Sequence, residues 1–516
     1  MFNTGKKLLA FLLLALCIAG CGGSNNSTSN REKVFTYGTI AYGPQHNDVG
    51  LNPHEGYSGW STVRYGVGET LFKFDDAMEP RYWLAQSYEQ VNPKTVKIKL
   101  KDNITFSNGR KLDAQAVKEC LEDLIKVHDR APGDLKIANI EAQGQNIIIT
   151  TKEPFPALLN YLSDPYAAII DMQAGVTADK KVIGTGPFIA EKVSDSEIEL
   201  VKNTKYWEAP VKIDRVRIRA IHDSDTLTMA LQSGELDAAQ GLPYNSLALF
   251  AKDKNNYKIV SEDTSRTFMA TINFLSPVLQ NLYVRQAIAM GIDKANFSKV
   301  LLKDNGTKAV GPFPTSMAFG DFKVVASKFD LTGARKLLEA AGWKDTDGDG
   351  YLDKDGENLT IRWLTYPGRA ELPLLAEAVQ ATLKQVGIKV LINSTANFRD
   401  FLKRGEWDIY ANAMVTAPTG DPEYFFTTLA LEKSALNRGK YVNPKVDALG
   451  VQLAKEFDKN KRNALAVQME QQILNDIAFI FVAHLKMPFV MKKIVTGFRP
   501  HAADYYEITA DLDKDF

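Results

Sequence analysis

The run Ala376-Glu377-Ala378-Val379-Gln380-Ala381-Thr382-Leu383-Lys384-Gln385-Val386-Gly387-Ile388-Lys389-Val390-Leu391-Ile392 holds two structures in sequence. Ala376 to Gln385 reads as a helix that ends at Gly387, since glycine closes a helix without the penalty a Cβ would carry. Ile388 to Ile392 then reads as a buried strand. The passage recurs upstream, where Asp225 to Gln232 is closed by Ser233-Gly234-Glu235 and Leu236-Asp237-Ala238-Ala239 starts the next strand. Val284 to Met290 and Ala334 to Ala341 read as amphipathic helices, the second stopped by Gly342, and Ala464 to Leu474 is the last long helix. Helices and strands alternate without a fixed period, which predicts a mixed α/β body rather than a repeat array.

Toward the N-terminus, Val34 to Tyr42 reads as a first strand, and Val96-Lys97-Ile98-Lys99-Leu100 alternates as a half-buried strand does. Leu112 to Val127 places apolar residues at 116, 117, 120, 121 and 124 on one helical face, with Asp113 near its start. Cys120 lies on that stripe, which makes it a core thiol rather than a reactive one. No Pro- or Ser-rich linker interrupts residues 33 to 516. A chain of this length exceeds what one core usually supports, about 250 to 300 residues, so at least two lobes are expected. Without a linker, the chain must cross between them more than once, as in a hinged receptor.

The first twenty residues read as a secretory signal, with Lys6 and Lys7 ahead of the apolar stretch Leu8 to Gly20. That stretch is too short to span a hydrocarbon core, which takes roughly 20 helical residues. Ile18-Ala19-Gly20-Cys21 resembles a bacterial lipobox, which implies cleavage before Cys21 and lipid on its sulfur, a durable membrane anchor. Residues 21–32 then form a polar, flexible tether. With Cys17 lost and Cys21 lipidated, Cys120 is the one remaining thiol, so no intrachain disulfide holds the fold. Removing Lys6 and Lys7 leaves 60 basic side chains against 62 acidic, which argues against nucleic acid as a partner.

Catalytic signatures are missing from the sequence: there is no Gly-x-Ser-x-Gly elbow, no His-Glu-x-x-His helix and no phosphate-cradling Gly-x-x-x-x-Gly-Lys-Ser/Thr. A hydrolase is therefore set aside. A purely structural surface lipoprotein is a third reading. Asp345 to Asp353 resembles the start of a calcium loop, but its twelfth position is Gly356 where a bidentate Glu is needed, so it reads as a turn.

Ordered landmarks carry a resemblance over about residues 35 to 510. They include Leu51-Asn52-Pro53-His54, Gly68-Glu69-Thr70-Leu71-Phe72, Thr105-Phe106-Ser107-Asn108-Gly109, Gly184-Thr185-Gly186-Pro187-Phe188, Asn203-Thr204-Lys205-Tyr206-Trp207, Gln232-Ser233-Gly234-Glu235-Leu236-Asp237 and Gly405-Glu406-Trp407-Asp408. The chain resembles family 5 of the extracellular solute-binding proteins, the oligopeptide, dipeptide and nickel receptors of ABC importers. That resemblance implies a two-lobe α/β clamshell with an extra subdomain in lobe I, no enzyme activity, permease and ATPase subunits as partners, an extracytoplasmic location at the membrane, and a monomer. It places lobe I at residues 33–268 plus 485–516 and lobe II at 269–484, with crossover strands at Thr267-Phe268-Met269-Ala270 and Phe481-Val482-Ala483-His484.

The resemblance also points to a ligand. In nickel-type members, histidines in settings like those of His54 and His484 resemble a metal-contacting pair, with His46 able to stand in for His54. His128, His222 and His501 show no pairing. Two imidazoles cannot fill the shell of Ni²⁺, so a chelator would supply the other donors. The arginine-rich segment that holds chelator carboxylates in such receptors is replaced here by Ser163-Asp164-Pro165-Tyr166, and a histidine expected after an Asp-Pro pair is Glu423. Arg64, Arg266 and Arg369 are candidate replacements, because a guanidinium matches a carboxylate bidentately. A short peptide is the alternative ligand, with its amine on Asp421 or Glu423. Tyr42, Tyr57, Trp60, Tyr366 and Trp407 would supply flat walls in either case.

Overall fold

Residues 32–515 are described by the computed structural model of the chain; the leader, Cys21 and the tether up to residue 31 fall outside them. Strand β1 (Val34–Thr39) lies within an eleven-stranded mixed sheet. It runs parallel to Arg215–Ala220 on one side and to Ala238–Gln240 on the other. The strand ends three residues earlier than the sequence suggests, because the Thr39 hydroxyl accepts from the Ala41 amide at 3.0 Å and turns the chain. The turn leads into helix α1 (Ser58–Arg64).

Helix α2 (Ala114–Val127) begins where Asp113 accepts from the Ala116 amide at 2.9 Å, an N-cap that satisfies one of the first turn's orphan donors. Its apolar stripe packs on a separate four-stranded sheet ordered Ala85–Asn92, Thr95–Leu100, Asn146–Thr151, Ile137–Gln143. Cys120 is buried on that stripe, and burial pushes its thiol up to about 12, so it stays protonated and inert.

Two long strands dominate the large sheet, β2 (Tyr257–Ile272) and β3 (Phe479–Lys492). They pair antiparallel from Tyr257 opposite Lys492 to Thr271 opposite Phe479, with register shifts between Asp263 and Thr267 and between Phe268 and Met269. Beyond β2 come Ile409–Val415, Thr360–Thr365 and Lys389–Ser394. The last strand follows the helix Glu371–Gln385 through Gly387, where φ is +86° and a Cβ would meet Leu352 Cγ at 2.7 Å. That close approach explains why the helix must end on glycine.

Apolar packing divides along the same two strands. One core cluster contains Phe35, Tyr37, Phe489, Met491 and Phe498; another contains Phe268, Ile361, Trp363, Val482 and Leu485. The register shifts fall where β2 leaves the first core for the second. A third cluster bridges them, packing Phe74, Met78 and Tyr505 with Phe313, Phe425 and Phe481. Burial of each such ring contributes about 1.5–3 kcal/mol. Among the described residues, no helix is long and apolar enough to cross a membrane.

Candidate ligand-binding cleft

A cleft of about 740 Å³ opens between these cores. The chain after β1, helix α1, the middle of β2, residues 367–371 and the middle of β3 all contribute to its wall, together with Asp504. Arginine defines its chemistry. Arg64, at the end of α1, is buried, donates from Nε to the Asp504 carbonyl at 2.9 Å, and lies 3.5 Å from Glu507. Burial opposes its charge, but Glu507, Tyr65 and Asp504 outweigh that and hold the guanidinium protonated. Burial also raises Glu507 to about 7, although Arg64 and the Tyr37 hydroxyl, 2.9 Å away, pull it down.

Arg266 projects from β2 and donates to Asp504 Oδ2 at 2.7 Å. Arg130 stacks over Tyr57 and Tyr166 and reaches Asp164 at 3.4 Å. Arg369 differs from these three: among the described residues its guanidinium has no ion pair and no hydrogen bond. Burial and the neighbouring Arg266 charge push it down from its ordinary value. Tyr366, Glu371 and Asp504 pull it back more weakly, and none of them reaches ion-pair distance. A half-buried guanidinium with no carboxylate in contact, next to a second guanidinium, is arranged for an anionic group from outside.

Imidazole also reaches the cleft, from His46 and His222, whose ring centroids lie 6.1 Å apart. Burial lowers His46 and the charges of His222, Arg369 and Arg64 lower it further, against a hydrogen bond to the Ile40 backbone, and the balance favours the neutral ring at physiological pH. Tyr57 and Trp60 form an aromatic ledge, with rings 5.1 Å apart.

The sequence-derived candidates separate accordingly. Tyr57, Trp60, Arg64, Arg266 and Arg369 line the cleft. His54 and His484 do not, and the structure shows what holds each instead. Asn52 caps the His54 amide at 3.2 Å and turns the ring beneath α2, where Nδ1 meets Asp123 at 2.7 Å and Nε2 faces Cys120 Sγ at 3.5 Å. Strand alternation on β3 turns His484 away from the face that carries Leu485, onto Thr267 Oγ1 at 2.9 Å and Asp321 at 3.0 Å. Both imidazoles are buried, with each ring nitrogen facing a protein group.

Tyr42 is buried and donates to the Ser194 carbonyl at 2.7 Å. Tyr366 packs on Phe398, and Trp407 is buried against Tyr410 with Nε1 donating to the Leu402 carbonyl. Asp421 and Glu423 are paired with Arg462, which contacts them at 2.6 and 3.4 Å, and neither lines this cleft. In the acidic loop Asp345, Asp347 and Asp353 converge, and Asp353 is occupied by the Thr346 amide and hydroxyl, both at 2.7 Å. Sequence reading missed Asp48, Arg130, His222, Tyr244, Tyr424 and Asp504 in the wall. Only Asp504 carries a distinguishing backbone feature, a left-handed φ of 63°, which no sequence pattern announces.

A cleft between two cores joined by paired long strands, walled by arginine and aromatic rings, is that of a solute-binding protein. Residues 79–436 match the model of the bacterial extracellular solute-binding proteins, family 5, middle region, and the chain belongs to that family. It is a binding protein and not an enzyme. The nickel-binding protein NikA of Staphylococcus aureus is 28% identical over 481 residues, 93% of each chain. The oligopeptide-binding protein AppA of Bacillus subtilis is 25% identical over 537 residues, 98% of each. A crystal structure of S. aureus NikA in complex with Ni(L-His)2 superposes with a TM-score of 0.78 at 26% identity, covering 94% of this chain and all of that one.

Proposed function

We propose that this protein is the substrate-capturing receptor of an ABC importer and that its cargo is a small chelate of a transition metal, nickel foremost. The observation that carries the reading is the unpaired Arg369 guanidinium beside Arg266, with the His46 and His222 rings in the same cleft. Chelators that wrap a divalent metal carry carboxylates, and carboxylate is what Arg369 lacks. Neutral imidazole suits Ni²⁺, while the chelator supplies the remaining donors. Relatives that bind nickel, one of them solved with Ni(L-His)2, support the assignment.

In this reading residues 33–268 with 485–516, and 269–484, act as two lobes that close on the ligand about β2 and β3, and the closed form is what the permease recognises before its ATPase partner fires. Lipid on Cys21 holds the monomeric receptor at the extracytoplasmic side of the membrane, in a periplasm or on the outer face of the plasma membrane.

A calorimetric titration of the protein lacking its lipid tests the cargo. Ni²⁺ with excess L-histidine is expected to bind, and His46→Ala combined with His222→Ala to weaken that binding about tenfold or more, as loss of two metal donors requires. The similarity to AppA favours a second reading, a short peptide. Binding of tripeptides with no response to nickel in either form would establish that reading and remove the first.

A further inference from the structure

Among the described residues, four buried side-chain atoms of the cleft wall have no hydrogen-bond partner: Asp48 Oδ1, Trp60 Nε1, Arg130 Nε and Asp504 Oδ1. Arg130 and Asp504 are already held in ion pairs with Asp164 and Arg266, which leaves Asp48 and Trp60. Asp48 is 2% exposed, and its other oxygen is fixed by the Ser61 hydroxyl at 2.7 Å, so the carboxylate cannot rotate to satisfy Oδ1 without losing that bond. Ser61 and Trp60 are adjacent on α1, so the helix that carries the donor also tethers the acceptor. Arg64, on the same helix, is committed to Asp504 and Glu507 and gives Oδ1 no hydrogen bond. Burying an unsatisfied carboxylate oxygen costs free energy that a native fold rarely leaves uncompensated.

We infer that Asp48 and Trp60 are specificity-determining ligand contacts, Asp48 Oδ1 accepting from an N–H of the bound chelate and Trp60 Nε1 donating to one of its oxygens. The inference rests on the chelate reading above and sharpens it. Arg369 alone would accept any carboxylate, including those of a polycarboxylate without hydrogen on nitrogen. An acceptor in the same cleft selects a ligand that also carries N–H, as an amino-acid chelate does when its amine binds the metal and keeps its protons. Burial raises the Asp48 carboxyl to about 7, with Arg64 and the Ser61 hydroxyl opposing, so the discrimination is expected at pH 8, where it is ionised. A ligand offering only carboxylates then sets a negative group against Oδ1 and is rejected, since a site built for a hydrogen bond discriminates strongly against the analogue that cannot make it.

The test compares nickel with excess L-histidine, which bears N–H, and nickel nitrilotriacetate, which bears none, against wild type, Asp48→Asn and Trp60→Phe. Thermal melts verify that each variant is folded. Wild type is expected to prefer the histidine chelate, and Asp48→Asn to reduce that preference about tenfold or more, the scale of a lost hydrogen bond to a charged group. Trp60→Phe keeps the ring, removes the donor and is expected to weaken the histidine chelate, and it stands as the test should Asp48→Asn fail to fold. Unchanged preference in the folded variants would overturn the inference while leaving the chelate reading in place. Failure of wild type to bind either chelate would overturn both.

Discussion

Arg266 on β2 donates to Asp504 Oδ2 at 2.7 Å, while the carbonyl of the same aspartate accepts from Arg64 Nε at 2.9 Å. One residue of the C-terminal segment thereby fixes two of the cleft's guanidiniums, one through its side chain and one through its backbone. Asp504 adopts φ 63°, a conformation that costs a non-glycine residue roughly 1–2 kcal/mol and persists where the surroundings over-determine it.

Asp504→Asn tests this arrangement without disturbing the backbone, because asparagine also tolerates the left-handed region. The ion pair to Arg266 is lost and the carbonyl to Arg64 is kept. Stability is expected to fall by about 1–3 kcal/mol in denaturant unfolding, with weaker chelate binding as Arg266 loses its position.

Arg369→Ala is predicted to behave in the opposite way. With no side-chain hydrogen bond or ion pair among the described residues, the side chain contributes little to the fold, and stability should stay within about 0.5 kcal/mol of wild type. Affinity for the nickel–histidine complex should fall about tenfold or more as the carboxylate contact goes. A variant that unfolds easily yet binds normally would reverse the assignment.

Arg462→Ala should be among the most damaging substitutions. It strands two buried carboxylates, Asp421 and Glu423, and burial, aided by Asp421, already raises Glu423. Breaking such a cluster costs about 3–5 kcal/mol, to be read as a large drop in melting temperature. The partial rescue expected from adding Asp421→Asn and Glu423→Gln would show that stranded charge is the cause.

His54 is predicted to govern stability and not affinity. Burial lowers it below its ordinary value near 6.5, with Asp123 opposing. The unfolded chain therefore binds the proton more readily, so the contribution is complete above about pH 6.5 and is lost as pH falls through the lower folded value. The stability difference between wild type and His54→Gln should shrink from pH 7.5 to pH 5, while nickel–histidine affinity at pH 7.5 is unchanged. A matching loss of affinity would contradict the placement of this ring beneath α2.

These contrasts mark what the sequence made legible. Helix ends at Gly387 and Gly234, the N-cap at Asp113 and the core role of Cys120 follow from local rules and appear in the fold. Arg64, Arg266 and Arg369 could be named because guanidinium has few reasons to lie near a core except to meet an anion. Histidine was harder. His54 and His484 occupy suggestive settings, but an Asx-capped turn and strand alternation decide which way each ring faces, and the partners Asp123 and Asp321 are distant in sequence. Asp421 and Glu423 likewise face a partner that no local pattern announces, since their cation Arg462 lies some forty positions away. His222 and Asp504 enter the cleft through tertiary packing alone.

The central claim, that the cleft takes a metal chelate, is tested most directly by crystals grown with Ni²⁺ and excess L-histidine and measured at the nickel absorption edge. The account predicts an anomalous peak in the cleft near His46 and His222, with chelator density running to Arg369. A peak at His54 or His484, or no ordered nickel in the cleft while a peptide binds there, would contradict it.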